Sequence, residues 1–243
     1  MAREEAMTTP GYDYEQIPPG FYDEIHQRKA GVRYAWHDLK FRAVAARIGR
    51  PRRLLDVGCG PGTFIGNYLD GVDCLGVDFS AAQVGYAGRR YAGPRRRFST
   101  ATLAELAAAG ERFEAITMIE LIEHLAAADA RRLLAAARPL LVADGVVVIT
   151  TPNYRSLWPV IEWSVDRLSR VRYEQQHINK YRRARLAAEL VQAGYRDVAV
   201  TTAVGLAPFA AVLGLRLVER LDAVGARYRH FGLGNLLLAV ARP

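Results

Sequence analysis

Short, uninterrupted apolar runs alternate along this chain with segments of helical periodicity. The runs lie at 52–57, 72–77, 113–119, 146–150, 198–202 and 236–240, with a weaker one ending at Phe98. Strands that are apolar throughout are buried on both faces, as in parallel sheets covered by helices. The chain therefore predicts an α/β fold with a mostly parallel, seven-stranded sheet and helices on both faces.

Helical patterns fill the segments between these runs. The first covers 21–48, with Tyr34, Leu39, Phe41, Val44 and Ile48 facing inward. Further helices are predicted at 63–69, from a Ser80 cap to about residue 91, and at 102–109, 129–141 and 182–193. Residues 1–20 are polar and rich in proline and glycine, so we expect a flexible arm followed by one domain over 21–243.

Composition narrows the class of protein. With 243 residues and 51% hydrophobic residues, the chain can bury a full core. It shows no secretory signal, no apolar run long enough to span a bilayer, and only two cysteines, which predicts a cytoplasmic protein without a disulfide framework. The net charge of +8 indicates either a solvated basic surface or attraction to an anionic partner. No nucleic-acid-binding motif accompanies the charge, so we expect no nucleic-acid partner.

The stretch LLDVGCGPGTF at 54–64 predicts a ligand cradle at the first strand-to-helix turn. A dinucleotide-binding turn would need glycine where Thr63 stands, and Asp56 would repel a pyrophosphate. A carboxylate there suits an ammonium group instead, and Asp78 at the end of the second strand suits two ribose hydroxyls. An adenosine that carries an amino acid meets both demands, which points to S-adenosylmethionine.

Five stretches carry a family resemblance. LLDVGCGPGTF, LGVDFS, FEAITMIELIEHL, ARPLLVADGVVVITTPN and HINKYRRARLAAELVQAGY occur in order within residues 30–202. Together they resemble the class I S-adenosylmethionine-dependent methyltransferases, nearest to the ubiquinone-biosynthesis O-methyltransferase-like group. The resemblance implies a Rossmann-like domain with an N-terminal helical arm and a helical lid insert, and S-adenosylhomocysteine as product. The chain departs from that group after Gly205.

The resemblance also implies cofactor contacts. Asp56 would neutralise the methionine amino group, Asp78 would hold the ribose, and Arg33 would pair with the methionine carboxylate. Phe79 would cover the adenine, and Ile119 would lie beside the methionine. Each of the two could instead belong to the core. The remaining implied contacts come from backbone or edges of the pocket: Gly58, Cys59, Gly60, Gly62, Thr100, Ala101 and Glu120.

Candidate catalytic residues follow the fourth strand. Glu120, Glu123 and His124 are spaced three and four apart, so on an α-helix they would share one face. Such a group can act as a general base, can hold a divalent cation, or can cap and pair locally. His177 precedes the stretch where the family places a residue over the acceptor pocket. We assign Glu123, His124 and His177 as catalytic candidates and assign no metal ligands.

The insert at 154–176, within a lid of about 154–180, combines apolar and basic residues. Trp158, Ile161, Val165 and Leu168 fall on one helical face, and four arginines flank them: Arg155, Arg167, Arg170 and Arg172. This pattern indicates either a lid over the acceptor or a peripheral membrane contact, with 206–221 packing beside it as a second apolar helix.

The function predicted from the whole chain is O-methylation of a small or lipid-like metabolite. N- or C-methylation, and a cofactor-binding protein of the same fold without transfer, stay open because a fold does not fix its chemistry. An RNA methyltransferase is suggested only by charge.

Overall fold

The computed structural model describes residues 17–161, 163, 177–227, 232 and 234–243. The strands are β1 (Arg53–Val57), β2 (Asp73–Val77), β3 (Arg96–Ser99), β4 (Phe113–Ile119), β5 (Leu141–Pro152), β6 (Arg196–Ala203) and β7 (Leu236–Arg242). The helices are α1 (Phe21–Gln27), α2 (Gly31–Ile48), α3 (Thr63–Tyr68), α4 (Ala81–Tyr91), α5 (Leu103–Ala108), α6 (Ala127–Ala137), α7 (Arg183–Gln192) and α8 (Leu215–Ala226). Short 3-10 helices cover Ile122–His124, Arg138–Leu140 and Ala207–Leu213. Most of the predicted arm and 14 residues of the predicted lid, 162 and 164–176, lie outside the described residues.

All seven strands join one sheet in the order β3-β2-β1-β4-β5-β7-β6. β1 pairs in parallel with both β2 and β4, whereas β7 runs antiparallel to β5 and β6. The chain moves outward from β1 to β3 and then returns to β4 on the other side of β1. This reversal opens a crevice at the carboxyl ends of β1 and β4, where ligands bind in such sheets. The predicted fold class is confirmed.

Apolar side chains on opposite faces of each strand build two core layers. Leu54 packs in one layer with Phe64 of α3 and Val44 of α2, while Leu55 packs in the other with Ile116 of β4. Successive strand residues point to opposite faces, so an apolar run such as 54–55 needs helices on both sides. The carboxyl ends of the strands, where the crevice lies, are thus fixed between two packed layers.

Three predicted helices are interrupted or end early in the structure. The pattern at 21–48 forms α1 and α2, which are separated at 28–30. The single apolar helix expected at 206–221 is wrong: Ala207–Leu213 is a 3-10 helix, and Gly214, with φ 119°, starts α8 in a new direction. The helix predicted at 129–141 instead ends as α6 at Ala137, followed by a 3-10 turn around a proline. In the described part of the chain, no helix is both long and apolar enough to cross a bilayer.

A buried carboxylate fastens α1 to the helices beside the glycine turn. Asp23 is fully buried and accepts hydrogen bonds from the hydroxyls of Thr63 (2.9 Å), Tyr86 (3.0 Å) and Tyr91. Thr63 is the first residue of α3, directly after the glycine turn. A buried carboxylate is tolerated only where donors surround it, so this cluster fixes α1 against α3 and α4.

We expect Asp23→Asn to destabilise the protein by about 2 kcal/mol, because one of three hydroxyls then meets an amide NH₂ group instead of an acceptor. For a chain of this size the melting temperature should fall by roughly 4–8 °C. Glu24→Gln, on the exposed side of the same helix, is the matched control and should change it little. Equal melting curves for the two variants would contradict a structural role for the Asp23 cluster.

Candidate active site

The glycine turn after β1 is bonded to the end of β2. The amides of Gly58 and Cys59 both donate to the carbonyl of Val77, at 2.8 and 3.1 Å. Gly58 and Gly62 have positive φ values of 73° and 75°, and a Cβ at Gly62 would approach the Phe98 ring to 2.8 Å. Side chains are therefore excluded at these positions by both conformation and space. The turn forms an open backbone cradle, with the Cys59 thiol buried beside it.

Asp78 closes the other side of this cradle. One carboxylate oxygen accepts from the amide of Gly60 and the other from the amide of Ser80, both at 2.9 Å. Burial raises the pKa of Asp78, while these two N–H donors oppose the rise. Asp78 therefore holds the glycine turn in shape and lies at the strand end where a ribose would be bound.

Asp56 lies deeper, at the carboxyl end of β1. The hydroxyl of Thr117, its register partner on β4, donates to it at 2.6 Å. Desolvation raises the pKa of Asp56 to about 7, although the Thr117 hydrogen bond opposes the rise, and the nearby charge of Asp78 adds to it. A cation bound here would favour the ionised form of Asp56 and lower its pKa again. The two carboxyl groups thus form a site suited to a ligand with an ammonium group.

The ion pair of Lys40 with Glu120 was missed by the sequence analysis. Lys40 lies on α2 with only 4% of its side chain exposed, and its ammonium pairs with the Glu120 carboxylate. Glu120 follows β4 in a left-handed conformation, φ 50°, with its amide bonded to the carbonyl of Thr150 at 3.0 Å. Lys40 stands between the inward positions Leu39 and Phe41, which indicates that it is buried but not which residue it pairs with.

The structure places Arg33 on the exposed first turn of α2. Lys40 lies about two turns further along the same helix and brings a buried ammonium to the carboxyl end of β4. There it pairs with Glu120, and the predicted contact of Arg33 with the methionine carboxylate stays a prediction.

Glu123, His124 and His177 meet in one group. A carboxylate oxygen of Glu123 and one ring nitrogen of each histidine all lie within 4.8 Å of one another. The two imidazole rings are 5.1 Å apart between centroids. Glu123 is fully buried, and neither of its oxygens has a hydrogen-bond partner among the described residues. Desolvation raises the pKa of Glu123 to about 8, with His177 opposing the rise and Glu120 adding to it.

The predicted arrangement of Glu120, Glu123 and His124 on one α-helical face is wrong. Residues Ile122–His124 form a single 3-10 turn, and the left-handed Glu120 precedes it. The turn directs Glu120 to Lys40, whereas Glu123 and His124 face His177, which is more than fifty residues away in sequence. His177 thus takes the place in the group that the helical spacing predicted for Glu120.

Two hydrogen bonds from Asn179 hold the segment of His177 against this turn. Asn179 donates from its backbone amide to the carbonyl of Glu123 (3.0 Å) and from its side chain to the carbonyl of Leu125 (2.8 Å). Trp158 lies beside His177 with ring centroids 6.1 Å apart, and Trp36 of α2 lies 5.2 Å from Trp158. Aromatic rings therefore form one wall of the group.

The other predicted cofactor contacts lie around the same strand ends. Phe79 is 68% exposed, so the alternative that it belongs to the core is wrong. Ile119 is partly buried and packs against the core at the end of β4. Thr100 and Ala101 follow β3, where the Ser99 hydroxyl accepts from the Ala101 amide at 3.0 Å.

The Glu123 group also has the composition of a metal site. Two imidazoles and a carboxylate suit a divalent transition metal, and the unpartnered oxygens of Glu123 fit a ligand role. They fit a proton-transfer role equally well, so geometry alone leaves both uses open.

Comparisons with known proteins agree with this fold. A family model described as a methyltransferase domain matches residues 25–200. The ubiquinone biosynthesis O-methyltransferase of Azorhizobium caulinodans is 32% identical over 125 residues, which cover 50% of this chain and 47% of that protein. An S-adenosylmethionine-dependent methyltransferase from Archaeoglobus fulgidus has a TM-score of 0.62 at 17% identity, over 92% of this chain and 100% of that one. Human N-acetylserotonin methyltransferase, solved with S-adenosylmethionine, also has 0.62, at 13% identity, over 99% of this chain and 60% of that one.

The seven-stranded sheet with helices on both faces is the fold of these Rossmann-like methyltransferase structures. The chain belongs to the methyltransferase-domain family, because the family model matches well over half of it. The predicted class and its cofactor, S-adenosylmethionine, are confirmed at this level. The chain matches less than half the length of the Azorhizobium relative, 47%.

We expect the wild-type protein to bind S-adenosylmethionine with a dissociation constant of about micromolar order. Asp78→Ala should weaken binding at least about tenfold, because it removes charged acceptors from the ribose site and from the Gly60 amide. Calorimetric titration measures both. Asp73→Ala is the matched control: it removes a carboxylate at the opposite end of β2, where Asp73 pairs with Arg53. Equal loss in both variants would mean that Asp78 acts only through the stability of the strand.

Proposed function

We propose that this chain transfers a methyl group from S-adenosylmethionine to a hydroxyl of a small or lipid-like metabolite. The observation that carries the proposal is the Glu123–His124–His177 group at the carboxyl end of β4, next to the cofactor cradle of β1 and β2. The partial match to ubiquinone biosynthesis O-methyltransferases supports an oxygen acceptor. N- and C-acceptors are the alternatives.

The residues of the cradle would act by positioning. S-adenosylmethionine supplies a methyl group that its sulfonium already activates. Asp56 would hold the ammonium, Asp78 the ribose, and Lys40 the carboxylate of the methionine part. Methyl transfer is an in-line displacement, so fixing donor and acceptor at about 3 Å contributes much of the rate.

An oxygen acceptor also has to lose its proton, and His124 is the residue that we assign to take it. His124 is partly exposed, whereas Glu123 and His177 behind it are buried. A positive charge that forms on His124 would be stabilised by the neighbouring carboxylate. Such a base group supports an enzyme over a protein that only binds the cofactor.

We expect His124→Ala to lower kcat by about 100-fold or more, since general-base catalysis contributes at least that much. The dissociation constant for S-adenosylmethionine should stay within about twofold, as His124 makes no predicted cofactor contact. The assay measures transfer of labelled methyl groups to phenols and catechols with and without alkyl tails. Asp129→Asn, on α6 outside the group, is the control.

An unchanged kcat in His124→Ala would refute the base assignment. Dialysis against a chelator separates the two uses of the group. Activity that persists supports a proton-transfer role, whereas loss that zinc or manganese ions restore would replace it with a metal site at Glu123, His124 and His177.

We further propose that the protein, expected in the cytoplasm, touches an anionic membrane beside the acceptor entrance. Large exposed apolar side chains concentrate in two segments of the described chain, three in 157–163 and six in 206–224, out of twelve. Both segments adjoin α2, through the Trp36–Trp158 contact and through the packing of Ala207. The net charge of +8 favours anionic lipid. The exposed residues are Leu157, Val160, Trp163, Leu206, Phe209, Val212, Leu213, Leu221 and Val224.

We expect the protein to sediment with vesicles of phosphatidylcholine and phosphatidylglycerol at low salt, and less with phosphatidylcholine alone. Val160→Glu combined with Trp163→Glu should reduce the bound fraction severalfold, because charges then replace apolar side chains at the interface. Val191→Glu, an equally exposed position on α7, is the matched control. No sedimentation of the wild type at low salt would exclude the membrane contact.

A further inference from the structure

The hydroxyl of Tyr154 lies 3.0 Å from Nδ1 of His177. Tyr154 follows β5 by two residues, and its backbone amide donates to the carbonyl of Tyr181 at 3.2 Å. The ammonium of Lys180 lies over its ring, 5.5 Å from the centroid. The segment that carries His177 therefore also holds the tyrosine.

This contact limits the orientation of the imidazole. The His177 ring is buried and surrounded by rings: Tyr154 lies edge-on at 88°, with Trp158 and His124 at centroid distances of 6.1 and 5.1 Å. A half-turn of the ring would move Nδ1 away from the Tyr154 hydroxyl. With Nδ1 bonded to Tyr154, Nε2 is the nitrogen through which His177 acts on the rest of the group.

The direction of the hydrogen bond between Tyr154 and His177 follows from the unpartnered carboxyl group of Glu123. Its two oxygens are buried and find no hydrogen-bond partner in the described part of the chain. A buried carboxyl group lowers its free energy by accepting a hydrogen bond, and a proton on Nε2 of His177 can supply one. A neutral imidazole with a proton on Nε2 has its lone pair on Nδ1, so the Tyr154 hydroxyl is then the donor.

We propose that Tyr154 is a positioning residue of the active site: its hydroxyl donates to Nδ1 of His177, fixes the Nε2–H tautomer and orients this N–H toward Glu123. Glu123 is then held beside His124 as a carboxylate, the form that supports proton removal from an acceptor. The structural part of this inference stands on the contacts alone. Its catalytic part rests on the proposed methyl transfer.

The first experiment reads the tautomer without any acceptor. Protein labelled with ¹⁵N in its five histidines is examined by long-range ¹H–¹⁵N correlation at one pH, and His177→Asn identifies the signals of His177. We expect a single Nε2–H tautomer in the wild type and a mixture of tautomers in Tyr154→Phe. An Nδ1–H tautomer in the wild type, or the same signals in both proteins, would overturn the proposal.

The second experiment reads the kinetic consequence. Tyr154→Phe should lower kcat about tenfold, since one hydrogen bond contributes on that order. KM for S-adenosylmethionine should stay unchanged. Tyr195→Phe, which removes a hydroxyl bonded to the carbonyl of Leu134 at 3.0 Å, is the matched control and should keep full activity. A normal kcat in Tyr154→Phe would refute the catalytic part.

The two readouts separate the two proposals. A wild type that transfers no methyl group to any acceptor, yet shows a tautomer that depends on Tyr154, would refute the proposed function and support the hydrogen bond. If the wild type is active, and Tyr154→Phe changes neither the tautomer of His177 nor the kcat of the enzyme, the function is supported and the positioning role is refuted.

Discussion

The site depends on carboxyl groups that are buried at the carboxyl ends of the central strands. Burial raises the pKa of Asp56 to about 7 and that of Glu123 to about 8, so each group is costly to ionise without a partner. The parallel register of β1 and β4 sets Thr117 beside Asp56 and thereby reduces part of this cost. What remains favours a positive charge beside each group, from a cationic ligand at Asp56 and from a neighbouring imidazole at Glu123.

The N-terminal helices α1 and α2 bring further charged side chains to these strand ends. Asp23 on α1 binds the first residue of α3 through the Thr63 hydroxyl, so α1 is fixed beside the glycine turn. Lys40 on α2 reaches across to Glu120 after β4. These contacts join segments forty and eighty residues apart in sequence, and they link the stability of the helical layer to the shape of the cofactor cradle.

Local patterns in the sequence were enough for the sheet and the cradle. The strand at Phe113–Ile119 and the Ser80 cap agree with the structure, because apolar runs and capping residues act over a few neighbours. The Asp78 position followed from its place after β2. The Lys40–Glu120 pair could not be derived, since it joins distant segments through a left-handed residue. The meeting of His177 with Glu123 likewise joins positions more than fifty residues apart in sequence.

The left-handed residue after β4 explains why one short motif serves two purposes. In an α-helix, Glu120, Glu123 and His124 would crowd two acids onto one face and raise the cost of ionising both. The positive φ of Glu120 turns the chain before the 3-10 helix begins, so Glu120 pairs with a lysine and Glu123 lies near two histidines. Each acid then has its own basic neighbour. The charges of Glu120 and Glu123 can therefore be set by separate partners, although the two acids are only three positions apart in sequence.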